Sequence, residues 1–147
     1  MRSPDCVGAL ILNSEGKVFV QRRSPTRRVF PGVWDIVGGH VEAGETAEGA
    51  LGREIEEETG WRLRRIVARI VDWEWEHDGV LRHEADYIVE VDGDLSAPQL
   101  ENGKHDAHAW VGPNDLELMT IGRDSADVGL RHVVERALAF RQTSGNM

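Results

Sequence analysis

The sequence predicts an α+β or α/β sandwich, a mixed β-sheet carrying helices on its faces. Three observations lead there. Short apolar or alternating runs stand on either side of one well-marked helix, and an amphipathic helix closes the chain, so the order is strands, helix, strands, helix. The 147 residues suffice for one core and suggest a single domain over 1–147. Composition is that of a globular protein, 40% hydrophobic and 29% charged, with no internal repeat, low-complexity segment or long linker.

Val7 to Leu12 is continuously apolar and reads as a buried strand, "NSEG" as a turn, and Lys17 to Gln21 as the second arm of a hairpin. "RRSPTRRVFPG" is a polar, proline-bearing loop, and "VWDIVGGHVEAGE" holds two short extended pieces broken by glycines. Thr46 to Thr59 is the clearest helix: Thr46 can cap it, glutamates favour its first turn, and Gly60 ends it. Gly49 and Gly52 inside it each weaken it by about 1 kcal/mol, which calls for close packing as compensation. Leu63 to Trp75, an "EHDG" turn and Leu81 to Val91 read as strand, turn and strand. A loop follows, then a short strand from Ala107 to Val111, a short helix in "GPNDLELM" with Pro113 in its first turn, and a final helix from Val128 to Arg141. Residues 142–147 are expected to fray.

Bulk charge narrows the function. A net charge of -9 disfavours partners that are themselves polyanions, whether nucleic acid or an anionic membrane. An anionic substrate on such a chain would need a divalent cation beside it. Cys6 is the single cysteine, which excludes an internal disulfide and any multi-cysteine zinc site; a small buried hydrophobe is its expected role. The N-terminus has no apolar signal region and no run reaches membrane-spanning length, so a cytoplasmic protein is expected.

The stretch "GGHVEAGETAEGALGREIEEETGW" holds seven glutamates. On a helix, Glu54, Glu57 and Glu58 share a face beside the apolar stripe of Ala47, Leu51 and Ile55, whereas Glu56 points away into solvent. Two like charges about 4 Å apart at an effective dielectric of about 20 repel by about 4 kcal/mol. Either one carboxyl takes a proton, or a hard cation with oxygen ligands sits among them. A merely solvated acidic face is the ordinary alternative, and the three carboxylates alone do not exclude it.

The flanking residues do. Gly39, Glu45, Arg53, Glu54, Ile55, Glu57, Glu58, Gly60 and Trp61 stand at the fixed places of one pattern: G, five residues, E, seven residues, R-E-hydrophobic-x-E-E-x-G-hydrophobic. At average residue usage this spacing arises by chance in roughly one chain in a million or fewer. The segment resembles the Nudix box, and the chain is similar to the Nudix hydrolase family, MutT-like proteins included. That resemblance implies an α/β/α sandwich around the box loop-helix-loop, and metal-dependent hydrolysis of a diphosphate bond in a nucleoside diphosphate linked to a further group. It implies Mg²⁺ or Mn²⁺ held by Glu54, Glu57, Glu58 and the carbonyl of Gly39, with Arg53 orienting a box carboxylate and Glu45 bracing the loop. The expected partner is a small nucleotide derivative, and the family makes a homodimer plausible.

Outside the box, one of Arg22 and Arg23 is expected to face the phosphates, since alternation allows only one. Trp34 and Asp35 are candidates for contact with the rest of the substrate. Trp73 and Trp75 share a strand face, where they could stack on a ring, form an interface or pack in the sheet. The family often adds an acidic residue after the strands. Here "LENGKHDAHAW" departs from its frequent form by Lys104 and Ala107, leaving Glu101 and Asp106 as candidate bases. Two other readings stay open: a nucleotide-sensing module without catalysis, which would have lost box carboxylates, and an isopentenyl-diphosphate-isomerase-like enzyme, which would need a catalytic cysteine in its own motif.

Overall fold

A computed structural model describes residues 3–145. It contains two sheets where one was expected. The larger is mixed, in the order β4 (Val37–His40), β1 (Cys6–Ile11), β6 (Val80–Asp92), β5 (Arg62–His77); β1 and β6 run parallel and the other pairs antiparallel. The smaller is antiparallel, in the order β3 (Trp34–Asp35), β2 (Val18–Arg23), β7 (His105–Val111). The expected hairpin of the first two strands is therefore only a stub. Leu12 bridges Val18 across the Asn13–Gly16 turn, after which β1 and β2 part into different sheets.

Helix α1 (Ala47–Thr59) packs on β4, β5 and β1, and α2 (Gly129–Gly145) on β5 and β2. Alternation along the strands feeds two cores, one on each side of the sheets. Val7, Ala9, Ile11 and Phe19 meet Ala50, Leu51 and Ile55 of α1. Leu10, Val18, Val20 and Ile88 meet Leu130, Val133, Val134 and Ala137 of α2. The result is an α/β/α sandwich, as the sequence suggested.

The ends of α1 are those read from sequence. The Thr46 hydroxyl accepts from Gly49 N at 3.0 Å, and Gly60 adopts φ 78°. The reason sought for its glycines holds only in part: a Cβ at Gly49 would lie 3.2 Å from the Thr46 hydroxyl, while at Gly52 the nearest atom is 4.0 Å away, so nothing crowds it. The β5–β6 hairpin is longer than expected because its turn is only Asp78–Gly79, both at positive φ (51° and 75°), the conformation of a two-residue hairpin loop. Three register shifts near the start of β5 interrupt the alternation there.

Three more expectations need correction. The short helix after β7 is a 3₁₀ turn at Leu116–Thr120 that excludes Pro113; Asp115 instead closes a turn by accepting from Gly112 N at 2.9 Å. The last helix continues to Gly145, four residues past its expected end at Arg141, and 146–147 lie outside the described residues. The short strand of β7 begins at His105, two residues before the expected start.

Candidate functional site

The C-terminal half of α1 passes beside β4, which brings Gly38 and Gly39 against the glutamate face. A Cβ at Gly39 would fall 2.5 Å from Glu54 Oε1, so only glycine lets the strand run this close to the carboxylate. Arg53 organises the acids around it. Its Nε and Nη2 donate to the two oxygens of Glu45 at 2.8 and 2.9 Å, Nη1 donates to Glu54 Oε1 at 2.7 Å and Glu57 Oε2 at 3.4 Å, and Nη2 reaches the His40 carbonyl at 3.0 Å. Charge-assisted bonds of this kind hold Glu45 down to about 2 and raise Arg53 above its ordinary value.

Glu58 is buried at 6% exposure. Its Oε1 accepts from Gln21 Nε2 at 2.5 Å and from Gly38 N at 3.3 Å. Burial raises its pKa, and the carboxyl of Glu54 within hydrogen-bonding reach raises it further. The crowding inferred from helical spacing is therefore real for Glu54 and Glu58, while Glu57, with its side chain 49% exposed, stands at the rim. Glu56 faces solvent on the opposite side, beside Arg62–Arg65.

These groups form one wall of a cleft of about 1130 Å³. The cleft is also lined by cations, Arg23, Arg27, Arg28 and Lys104, together with Glu101 and His105. His105 is buried with Nδ1 unpartnered; burial, then the field of Arg27, Arg23 and Lys104, pushes it down to about 4. Asp35 and Glu84 line the cleft too, with Trp73, Trp75, Arg123 and Leu130. Trp73 Nε1 donates to Asp86 at 2.7 Å, just below the surface, and Trp75 Nε1 to Glu84 at 3.0 Å. Burial lifts Asp35 to about 6, and it lifts the fully buried Asp86, with the neighbouring Glu84 carboxylate adding to the rise.

The cleft thus gathers Gly39, Arg53, Glu54, Glu57, Glu58, Arg23, Glu101, Asp35, Trp73 and Trp75. It does not gather Arg22, Trp34 or Asp106. Arg22 points to the other face of β2, where Nε donates to Asp106 at 2.8 Å and the guanidinium lies 5.8 Å from the Trp34 ring centroid, so these three satisfy one another outside the cleft. Gln21, Glu84, Asp86 and Arg123 were missed from sequence. Gln21 has a weak signal, a polar residue closing the apolar run Val-Phe-Val. Glu84 and Asp86 stand at period two in "HEAD", which fits any half-exposed strand.

Acids and cations lining one cleft suit an anionic substrate held beside a hard cation. The NUDIX domain family model matches residues 2–134. The chain belongs to the Nudix family, and its activity is hydrolysis of a diphosphate bond in a nucleoside diphosphate derivative. It is similar to nucleoside triphosphatase NudI of Escherichia fergusonii, 36% identical over 79% of this chain and 86% of that protein. It is also similar to an uncharacterized Nudix hydrolase of Nostoc sp., 43% identical over 46% of this chain but spanning only 40% of that protein. Among solved structures, the Escherichia coli ORF135 protein superposes with a TM-score of 0.70 at 26% identity over 97% of this chain and 94% of that one. The MutT protein of Methanosarcina mazei gives 0.68 at 24% identity over 97% and 98%, a likeness of fold. No described helix is long and apolar enough to cross a membrane. Nothing favours the isomerase reading: burial and then Glu84 push the Cys6 thiol up to about 12, far from a nucleophile.

Proposed function

We propose that the chain hydrolyses a nucleoside triphosphate with Mg²⁺ or Mn²⁺ bound by Glu54, Glu57, Glu58 and the Gly39 carbonyl. The observation that carries this is the buried meeting of Glu54 and Glu58 beside the side-chain-free floor of Gly39. Two carboxyls so placed need either a proton or a cation between them, and an all-oxygen set suits a hard cation. Among the described residues no three acids already converge on one point, because Arg53 lies between Glu54 and Glu57 and holds both.

When bound, the cation would lower the pKa of a water and screen the phosphates. The protein's residues do the rest. Arg23, Arg27, Arg28 and Lys104 neutralise and align the polyphosphate opposite the acids. Glu101, which lines the cleft with a side-chain exposure of 26%, is the carboxylate that takes the proton of the attacking water. The nucleoside lies by Trp73 and Trp75, which line the cleft with Asp35 and Glu84, carboxylates that repel phosphate. The triphosphate assignment draws on the activity for which the NudI relatives are named.

The test is release of phosphate or pyrophosphate from a panel of nucleoside triphosphates, nucleotide sugars and dinucleotides with each metal. Metal-dependent release that is fastest with a triphosphate is expected. Silence across the panel with both metals removes the proposal.

A further inference from the structure

Strand β2 is apolar through Val18, Phe19 and Val20 and then places an amide, Gln21, where nothing reaches solvent: the residue is 0% exposed. Alternation puts its side chain on the side of Phe19, toward α1. There Nε2 donates to Glu58 Oε1 at 2.5 Å. Its own Oε1 is buried and finds no donor. A methionine or leucine would fill similar space without an orphaned carbonyl, so the amide is kept in spite of packing and not because of it.

Its chemistry shows what it is kept for. Both backbone and side-chain donors that reach Glu58, Gly38 N and Gln21 Nε2, fall on Oε1, leaving Oε2 without a donor. The Gln21 donor is also neutral. A lysine or arginine could make the same bond but would add a charge at a position that nothing exposes to solvent. Serine or threonine at position 21 would not span the gap. We infer that Gln21 is a positioning residue for the metal site: it clamps Glu58 through one oxygen and leaves the other to the cation. This rests on the assignment of Glu58 as a metal ligand made above. Metal-bound side chains generally depend on such outer partners for their orientation.

The experiment titrates Mn²⁺ into wild type, Gln21→Met, Glu58→Gln and the double variant without substrate, by electron paramagnetic resonance, with melting temperatures alongside. Gln21→Met is expected to melt at or above the wild-type temperature yet bind Mn²⁺ about 10–100-fold more weakly, with the apparent metal KM rising in parallel and kcat at saturating metal falling much less. In the Glu58→Gln background the same change is expected to have no further effect on Mn²⁺ affinity. Unchanged Mn²⁺ affinity in Gln21→Met overturns the inference alone, as does an equal loss in both backgrounds. Failure of wild type to bind Mn²⁺ overturns the metal assignment and this inference together. If Gln21→Met does not fold, Gln21→Leu carries the same comparison.

Discussion

Arg53 and Glu45 are joined by two parallel hydrogen bonds, Nε to Oε2 at 2.8 Å and Nη2 to Oε1 at 2.9 Å. This fork fixes the guanidinium plane, and the remaining nitrogen then reaches Glu54 and Glu57. Lysine has the charge but not the fork. Arg53→Lys is therefore expected to lower kcat/KM about 10–100-fold, and Glu45→Gln, which keeps one acceptor, to lower it less. Steady-state kinetics on the best triphosphate, with thermal unfolding as a control, checks the order.

Glu58→Gln is expected to reduce turnover by at least about 10²-fold, as expected for loss of a charge-stabilising group, while the protein still folds. Glu56→Gln, on the solvent side of the same helix, is expected to be nearly silent. The pair of kcat values tests the helix phase as well as the assignment: similar losses in both would contradict it.

A Cβ at Gly39 would sit 2.5 Å from Glu54 Oε1 and 2.6 Å from its carboxyl carbon. Because the obstacle is the end of a side chain, the strand can stay and the carboxylate must swing. Gly39→Ala is expected to cost at least about tenfold in turnover, in line with the effect of misplacing a ligand, with a small change in melting temperature. A variant with full turnover would show that Glu54 needs no fixed place.

Two groups titrate in opposite senses. The folded state holds His105 down to about 4 against an ordinary 6.5, so the stability it contributes is full above pH 6.5 and is lost as pH falls toward 4. Asp35 is lifted from 3.8 to about 6, so its contribution is full below about 4 and is lost as pH rises through 6. Asp35→Asn is expected to gain on wild type between pH 4 and pH 7 by about 3 kcal/mol, and His105→Gln to lose less than wild type on acidification. Urea midpoints at pH 4.5, about 5.5 and about 7 decide both signs.

Thr46→Ala removes the hydroxyl that accepts from Gly49 N. A loss of about 1 kcal/mol is expected, read as a melting temperature lower by a few degrees with kcat per folded molecule retained.

The box was legible because its chemistry is local. Helical spacing put Glu54 beside Glu58, Thr46 and Gly60 marked the ends, and the i, i+4 stripe of Leu51 and Ile55 set the buried face. What escaped was contact between distant segments. Nothing near Gln21 announces Glu58, thirty-seven residues away, and nothing near Arg123 announces the Trp34 carbonyl it bonds at 2.9 Å. Arg22 and Arg23 posed a choice that alternation alone left open, and it was settled by Asp106, which occupies the outward guanidinium. The division into two sheets was likewise invisible, because β2 finds its partners in β3 and β7 rather than in the neighbouring β1.

The arginines and lysine that line the cleft have a consequence for encounter. The whole chain carries -9, so an approaching polyphosphate is turned away from most of the surface and meets attraction beside Arg23, Arg27, Arg28 and Lys104, among the acids that share the cleft. Long polyanions, too large to fit that opening, feel mainly the repulsion. Capture of a small anion then becomes a diffusional process guided by a funnel, and added salt, by screening that funnel, slows it.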